Sequence, residues 1–446
     1  MFNEKFVVDR LLESVAALDY PQDKLEIQIL DDSTDDTTEQ CYRKVEELKS
    51  RGFDAVCIHR TDRTGFKAGA LEAATKVAKG EFLLILDADF VPEPDLLQKT
   101  IHFFTDENVG LVQTRWGHIN REYNLLTRIQ GMYLDGHFAM EQTARNRSGR
   151  FFTFNGTAGI WRKCVIGDAG GWSHDTLTED MDLSYRVQLR GWRFIYLNDV
   201  VTPAELPVDM DGFKSQQHRW TKGSIQVCQK ILLDIWRSNA PLKAKVEATT
   251  HLTCNYSYLL LALLCFLVYP ICTQRIPENE TVFMWFVNVA LFFMTSVAVC
   301  IFYMSAQIVV RPKSWWKELP YLPLLLTLSV GMAVNNAKAV LEAIFGHQSA
   351  FVRTPKYGVD RKEDRRHVSQ LKRNGYRAIK SVVIPVLEIA CGTFFLNLII
   401  IMIRQGHYLS PILMIPFLGF YYTGFCSLGR MISNLLPAKQ TAKAKN

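Results

Sequence analysis

The chain has 446 residues, 48% of them apolar and 22% charged, with a formal net charge of +6. That length allows two or three domains of ordinary size, and the composition excludes disorder, collagen, a coiled coil and a small disulfide scaffold. Between Arg353 and Lys380, ten Lys/Arg against three Asp/Glu give +7, which leaves the rest of the chain near −1. A charge so concentrated is unlike a nucleic-acid-binding surface, so no nucleic-acid partner is expected, whereas a basic stretch beside membrane segments suits a cytoplasmic leaflet.

The start, MFNEKFVVDR, is charged and polar, unlike a cleavable signal peptide. Phe6–Leu18 reads as an amphipathic helix, LEIQIL (25–30) as a buried strand ending at Asp31-Asp32-Ser33, and Thr37–Ser50 as a helix. AVCIHR (55–60) follows as a strand, then Ala68–Ala78 as a helix, then FLLILD (82–87) as a strand ending in Asp87-Ala88-Asp89. Strands alternating with helices predict an α/β domain with a largely parallel sheet. Ligands bind beyond the carboxyl ends of such strands, so the two acidic clusters should face one site.

Asp87 and Asp89 are alternate residues where a strand gives way to a loop, which lets their carboxylates converge on a divalent cation shared with phosphates; a solvated turn has the same sequence. Thr178-Glu179-Asp180 opens a helical run and reads either as an N-cap or as a carboxylate poised as a general base. Gln216-Gln217-His218-Arg219-Trp220 reads either as a membrane-surface helix or as a diphosphate clamp with a flat stacking surface for a sugar.

Four runs are long enough to span a hydrocarbon core of ~30 Å: Leu252–Thr273, Val282–Val309, Val382–Ile403 and Ile412–Ile432. Leu319–Val334 is shorter, holds Pro320, Pro323 and Gly331, and runs into Asn335, Asn336, Lys338 and Glu342 at helical spacing, the pattern of an amphipathic interfacial helix. Four spans place the N-terminal domain, the basic loop and the tail AKQTAKAKN on the cytoplasmic side, with the QRIPENE loop outside. The ten cysteines include no CxxC pair, so reduced thiols are expected rather than a zinc site.

LDDST (30–34), KAGAL (67–71), DADF (87–90), FFTFNGTAGIWR (151–162), TEDMDLSYR (178–186), QQHRW (216–220) and FVRTPK (351–356) together resemble the processive family 2 glycosyltransferases, the group of cellulose synthases, cellulose synthase-like glucomannan synthases and hyaluronan synthases. The wording is most similar to the glucomannan or β-glucan synthase-like branch. The resemblance implies an α/β GT-A-type (Rossmann-like) catalytic domain followed by an α-helical transmembrane domain. It implies the following organisation: cytoplasmic catalytic domain 1–220, interfacial amphipathic helices 221–250, two transmembrane helices 251–310, interfacial helix with gating loop and basic segment 311–380, two transmembrane helices 381–433, and a basic cytoplasmic tail 434–446. Family members usually carry a strand ending in Pro-x-aromatic-Asn-Glu, often after membrane helices. Met1-Phe2-Asn3-Glu4 matches only the tail of that motif, so the first sheet strand and any upstream helices are expected to be missing from this sequence.

By the same resemblance Asp31 would contact the nucleotide and Lys67 would lie near the diphosphate. Asp87 and Asp89 would serve nucleotide and metal, Mg²⁺ or Mn²⁺, and Asp180 would be the catalytic base. Gln216 and Arg219 would hold the diphosphate, Trp220 would stack under the acceptor sugar, and Asn155, Gly156 and Thr157 would line the acceptor end. Phe351, Thr354 and Lys356 would form the loop that closes over the donor. The implied activity is inverting transfer from a nucleotide sugar, UDP-glucose or GDP-mannose, to a polysaccharide or glycolipid acceptor. The product would be a β-1,4-glucan or (gluco)mannan, made and translocated by a multi-pass protein of the cell (inner) membrane in contact with membrane lipid. Two alternatives share parts of the pattern: a non-processive lipid glycosyltransferase of the ceramide glucosyltransferase kind, and a membrane transporter or scaffold with a decayed catalytic domain. A glycoside hydrolase would need two carboxylates but not the basic clamp or the membrane helices.

Overall fold

The computed structural model describes residues 1–273, 281–348, 354–360, 362–364, 368, 382–404 and 411–435. The QRIPENE loop, Phe351, most of the basic run and the tail AKQTAKAKN lie outside the described residues.

Helix α1 (Val8–Ala16) buries Val8, Leu11 and Leu12 along one stripe, and α2 (Thr37–Ser50) buries Thr37, Cys41, Val45 and Leu48, spaced three and four apart as a helix face requires. Together they cover a two-stranded parallel sheet of β1 (Glu26–Asp31) and β2 (Asp54–His59). After α3 (Phe66–Val77), the strands β3 (Phe82–Ile85), β4 (Val109–His118), β5 (Gly159–Arg162) and β6 (Arg193–Ala204) form a second sheet in the order β3-β5-β4-β6. Only β4 and β6 run parallel in it; β5 is antiparallel to both β3 and β4. The sheet is therefore mixed, which corrects the largely parallel sheet expected from the sequence. Strand β5 is four residues long and buried at every position, Arg162 included, so it carries no alternation, and nothing in so short a run announces its direction. Between α3 and β6 lie α4 (Leu96–Thr100), α5 (Leu125–Asp135), α6 (Thr143–Arg147), α7 (Lys163–Asp168) and α8 (Glu179–Leu189). The main core, with Phe152, Phe154, Trp161, Leu183 and Phe194, lies between the second sheet and these helices.

From β6 the chain enters α9 (Met210–Arg237), whose start is capped by Asp209 accepting from the Gly212 N–H at 2.8 Å. Helical structure follows in α10 (Leu242–Thr253), α11 (Ser257–Thr273), α12 (Thr281–Val310), α13 (Leu322–Gly331), α14 (Ala333–Ile344), α15 (Val383–Arg404) and α16 (Pro411–Leu435). Among the described residues three helical stretches are long and apolar enough to cross a membrane, Leu242–Pro270, Trp315–Ile344 and Val383–Arg404; Val297–Val310 and Leu413–Gly429 are shorter apolar helices.

Several polar contacts tie the apolar helices to the rest of the chain, among them the Arg128–Glu318 pair at 3.0 Å and the Lys222–Glu342 pair at 3.1 Å. Lys214 on α9 is buried, pairs with the buried Glu388 of α15, and donates to Ser427 Oγ at 2.9 Å and to the Thr423 carbonyl at 3.1 Å on α16. Arg121 pairs with Asp135 and reaches Gln307 Oε1 of α12 at 2.7 Å. Around them, Leu322, Leu325 and Leu328 of α13 pack on Leu126, Ile129 and Met132 of α5 and on Met210 and Phe213 of α9. Buried charges are tolerated only when paired and hydrogen-bonded, so the Lys214 contacts fix how α9 sits against α15 and α16, and the Arg121 contacts fix how α5 sits against α12. Among the described residues the cysteines form no disulfide; Cys41, Cys228 and Cys265 are buried, and Cys164, Cys254 and Cys426 are exposed.

Candidate active site

The strand β3 ends at Ile85, and the chain turns so that Ala88 and Phe90 point into the protein while Asp87 remains half exposed. Phe90 bridges Ala204 at the end of β6, and the Asp87 N–H donates to Thr157 Oγ1 at 2.8 Å. These bonds hold the two acidic side chains of the turn in place. Lys67, in the first turn of α3, pairs with Asp87 and donates to the Gly156 carbonyl at 2.9 Å. Lys356 pairs with Asp89 at 2.7 Å. Burial acts to lower the Lys356 ammonium, but the Asp89 and Glu205 carboxylates outweigh it and hold it above the ordinary lysine value.

Asp180 lies in the first turn of α8, where the helix dipole favours a carboxylate. Its Oδ1 accepts from the Met181 N–H at 2.8 Å. Burial, and then the neighbouring Glu179 carboxylate, nevertheless push its pKa up to about 7, against the opposing charge of Lys67. Burial likewise raises Glu179. The main chain of Gly156 passes so near that a Cβ there would lie 2.9 Å from Asp180 Oδ2, and its φ of +80° is one that only glycine adopts without strain. The glycine therefore leaves open the space beside the carboxylate.

On α9, Gln216, Arg219 and Trp220 stand at i, i+3 and i+4, so they share a face. Arg219 donates to Thr354 Oγ1 at 3.1 Å. Trp220 lies 6.4 Å from Trp116, ring centre to ring centre, and packs with Leu134, Phe138 and Leu206.

These groups converge on one cavity of about 550 Å³ at the carboxyl ends of β1, β3 and β6. Lys67, Asp87, Asp89, Asn155, Gly156, Asp180, Gln216, Arg219, Trp220, Thr354 and Lys356 all line it. The cavity continues between β1 and β3, which belong to separate sheets, along Ile27, Ile29, Leu84 and Leu86.

Two expected site residues do not line the cavity. Asp31 is fully buried and accepts from Thr38 Oγ1 at 2.8 Å, from His59 Nδ1 at 2.7 Å and from the Ser33 N–H at 3.1 Å. Burial alone would raise its pKa, but those hydrogen bonds outweigh it and hold the group below the usual aspartate value. Its neighbour Asp32 lines the cavity instead, gripped by the Arg60 guanidinium at 2.6 and 2.8 Å. Thr157 is fully buried and acts one layer back, on the Asp87 N–H. Glu4, at the end of the Met1-Phe2-Asn3-Glu4 stretch, also lines the cavity, as do Trp116 and Glu205, which none of the motifs contains. Glu205 leaves one trace in the sequence, a lone acid inside the otherwise apolar TPAELPV.

The chemistry of Asp87 and Asp89 fits a divalent cation. Both are hard oxygen donors, and an ammonium group already sits on each. Among the described residues no group of three or more His, Cys, Asp or Glu is disposed to hold a metal ion. Two carboxylates suit an ion that takes the rest of its shell from phosphates and water.

Comparison with known proteins shows the family and the fold. The family model described as "Glycosyltransferase like family 2" matches residues 1–223, and the one described as "Cellulose synthase" matches residues 159–406. The chain is 44% identical over 243 residues to glucomannan 4-beta-mannosyltransferase 2 of Arabidopsis thaliana, covering 53% of this chain and 46% of that protein. It is 41% identical over 261 residues to glucomannan 4-beta-mannosyltransferase 1 of Oryza sativa subsp. japonica, covering 57% of this chain and 50% of that protein. The chain thus spans about half the length of the curated relatives it matches. A solved mannosyltransferase, PcManGT from Pyrobaculum calidifontis in complex with GDP-Man and Mn2+, superposes with a TM-score of 0.51 at 19% identity, covering 78% of this chain and 86% of the other. That likeness bears out the expected GT-A-type fold. With each family model matching at least half of its length, the chain belongs to the two families they describe, glycosyltransferase-like family 2 and cellulose synthase.

Proposed function

We propose that the chain is a membrane-embedded inverting glycosyltransferase that moves a sugar from a nucleotide-sugar donor to a growing β-1,4-linked polysaccharide and passes the product through its own helices. One observation carries the reading: the acidic turn of β3, the carboxylate of α8, the Gln-x-x-Arg-Trp face of α9 and the strap bearing Thr354 and Lys356 all meet in one cavity, although they come from distant parts of the chain. Of the two donors compatible with the motifs, GDP-mannose is supported over UDP-glucose by the names of the relatives, both 4-beta-mannosyltransferases.

Each residue has a chemical task. Arg219, Lys67 and Lys356 surround the acidic turn with fixed positive charge, where a diphosphate leaving group is stabilised as its bond to the sugar breaks. Asp87 and Asp89 would hold Mg²⁺ or Mn²⁺, which when bound supplies further positive charge to that diphosphate. Asp180, raised to about 7, is basic enough to take the proton of an attacking hydroxyl. Trp220, with Trp116 behind it, offers a flat apolar face for the acceptor ring, and Asn155 adds polar groups at its edge. One displacement inverts the anomeric centre and gives a β-linkage from an α-linked donor.

The catalytic domain is placed on the cytoplasmic side of the cell membrane, where nucleotide sugars are made, with α11, α12, α15 and α16 crossing the bilayer. Trp315–Ile344 is long and apolar enough to cross as well. Its packing against α5 and α9 supports a seat at the membrane surface instead. Incubating membranes that carry the chain with a panel of nucleotide sugars tests the function. A long β-linked product from GDP-mannose supports it, and a single sugar on a lipid points to the non-processive alternative.

A further inference from the structure

We propose that Glu205 is a positioning residue that seats the strap 354–360 at the wall of the cavity and so holds Lys356 against Asp89 of the acidic turn and Thr354 beside Arg219. The role rests on the donor-site reading given above. Glu205 follows β6 directly, and its side chain is 1% exposed. Its Oε1 accepts from the Tyr357 N–H at 2.8 Å, and its Oε2 accepts from the Gly358 N–H at 2.9 Å and the Val359 N–H at 3.1 Å. Three successive main-chain N–H groups thus close on one carboxylate. A carboxylate, with two oxygens and about four lone-pair sites, has acceptor capacity for all three and for Arg10 besides.

The main chain of Glu205 serves the same strap. Its carbonyl accepts from Lys356 Nζ at 2.7 Å, and its N–H donates to Asp89 Oδ2 at 3.2 Å. One residue therefore fixes the strap, the lysine the strap carries and the aspartate that lysine meets. Arg10 of α1 reinforces the arrangement, reaching Glu205 at 3.4 Å and Asp360, at the far end of the strap, at 2.7 Å. Its bond to Glu205 is the longest that the carboxylate makes, so an ordinary Arg–Glu pair does not account for where the acid sits. The strap is shaped to match. Gly358 has a φ of +67°, and a Cβ there would lie 2.6 Å from the Phe6 carbonyl. Tyr357 and Val359 on either side are buried with Tyr123 and Val208.

The seat is built wholly from catalytic-domain groups, so it holds the strap independently of any nucleotide, and loosening it should release nucleotide faster. The test uses the full chain in detergent with Glu205→Gln, which keeps the shape but turns an amide NH₂ toward N–H donors, and with Glu205→Ala. Hydrogen–deuterium exchange at residues 357–359 should rise by about tenfold or more, the factor set by losing hydrogen bonds to a buried charge, while exchange in β4 stays unchanged. Dissociation of GDP or UDP should accelerate by a similar factor. Arg10→Ala, which leaves the three N–H bonds in place, should change both readouts by less. Unchanged protection at 357–359 in Glu205→Gln, or equal loss of protection in β4, overturns the anchor. A wild-type chain that binds neither GDP nor UDP overturns the donor-site reading, and this role with it, whatever the exchange shows.

Discussion

Replacing Asp180 with asparagine separates catalysis from folding in one substitution. The side chain keeps its shape, and the Met181 N–H keeps an oxygen to bond, but the proton acceptor is gone. General bases contribute ~10²–10⁴-fold, so turnover should fall by that factor while nucleotide binding survives. The same change should stabilise the protein. A carboxyl lifted to about 7 is destabilised in its ionised form by burial and by Glu179. Full burial would make that worth on the order of 4 kcal/mol; Asp180 is partly exposed to the cavity, so about 2 kcal/mol is expected. The sign follows from the raised pKa. In the wild type this contribution to stability is intact below about pH 4 and is lost as pH rises through about 7, whereas asparagine does not titrate. The gain from Asp180→Asn should therefore be absent near pH 4 and complete above pH 7, about 4–8 °C in Tm for a domain of this size. Thermal unfolding in EDTA at both pH values, beside turnover at pH 7.5, measures it. Turnover above about a tenth of wild type, or a Tm gain independent of pH, would refute the assignment of Asp180 as the strained base.

Asp89→Ala should weaken donor binding as well as turnover, because the carboxylate serves cation and diphosphate together; activity that survives excess EDTA would contradict this. Gly156→Ala brings a methyl group to 2.9 Å from Asp180 Oδ2 at a φ of +80°, so turnover should drop steeply with a stability cost of about 1–2 kcal/mol, and wild-type kinetics would show that the two groups are not in contact. Lys214→Met or Glu388→Leu alone leaves a buried charge unpaired and should cost about 3–5 kcal/mol, while the double replacement should recover most of it; additive losses in the double variant would count against the pair.

The sequence was most legible where chemistry and local structure coincide. The acidic turn at Asp87–Asp89, the helix start at Asp180 and the i, i+3, i+4 face of α9 each sit on a regular element whose period or ending is written in the residues. Helix α2 matches its expected span, Thr37–Ser50, because the stripe Cys41, Val45, Leu48 and the flanking polar residues fix it. Strand direction was hidden, since β5 is short and buried on both faces. Asp31 and Asp32 show a further limit: adjacent residues at a strand end point to opposite sides, and only tertiary partners, His59 and Thr38 for one and Arg60 for the other, decide which acid faces the cavity. What Glu205 binds was illegible for a related reason. Its three N–H partners lie about 150 residues away on the strap.

The central claim is β-1,4 transfer from a nucleotide sugar. Purified chain in lipid vesicles, supplied with GDP-mannose and Mg²⁺ or Mn²⁺, tests it through linkage analysis of the product alongside the GDP released. The account predicts a polymer of 4-linked β-mannosyl units, with one GDP released per sugar added and no polymer from Asp180→Asn. GDP release without polymer, an α-linked product, or a product that stops at one sugar on a lipid would contradict it.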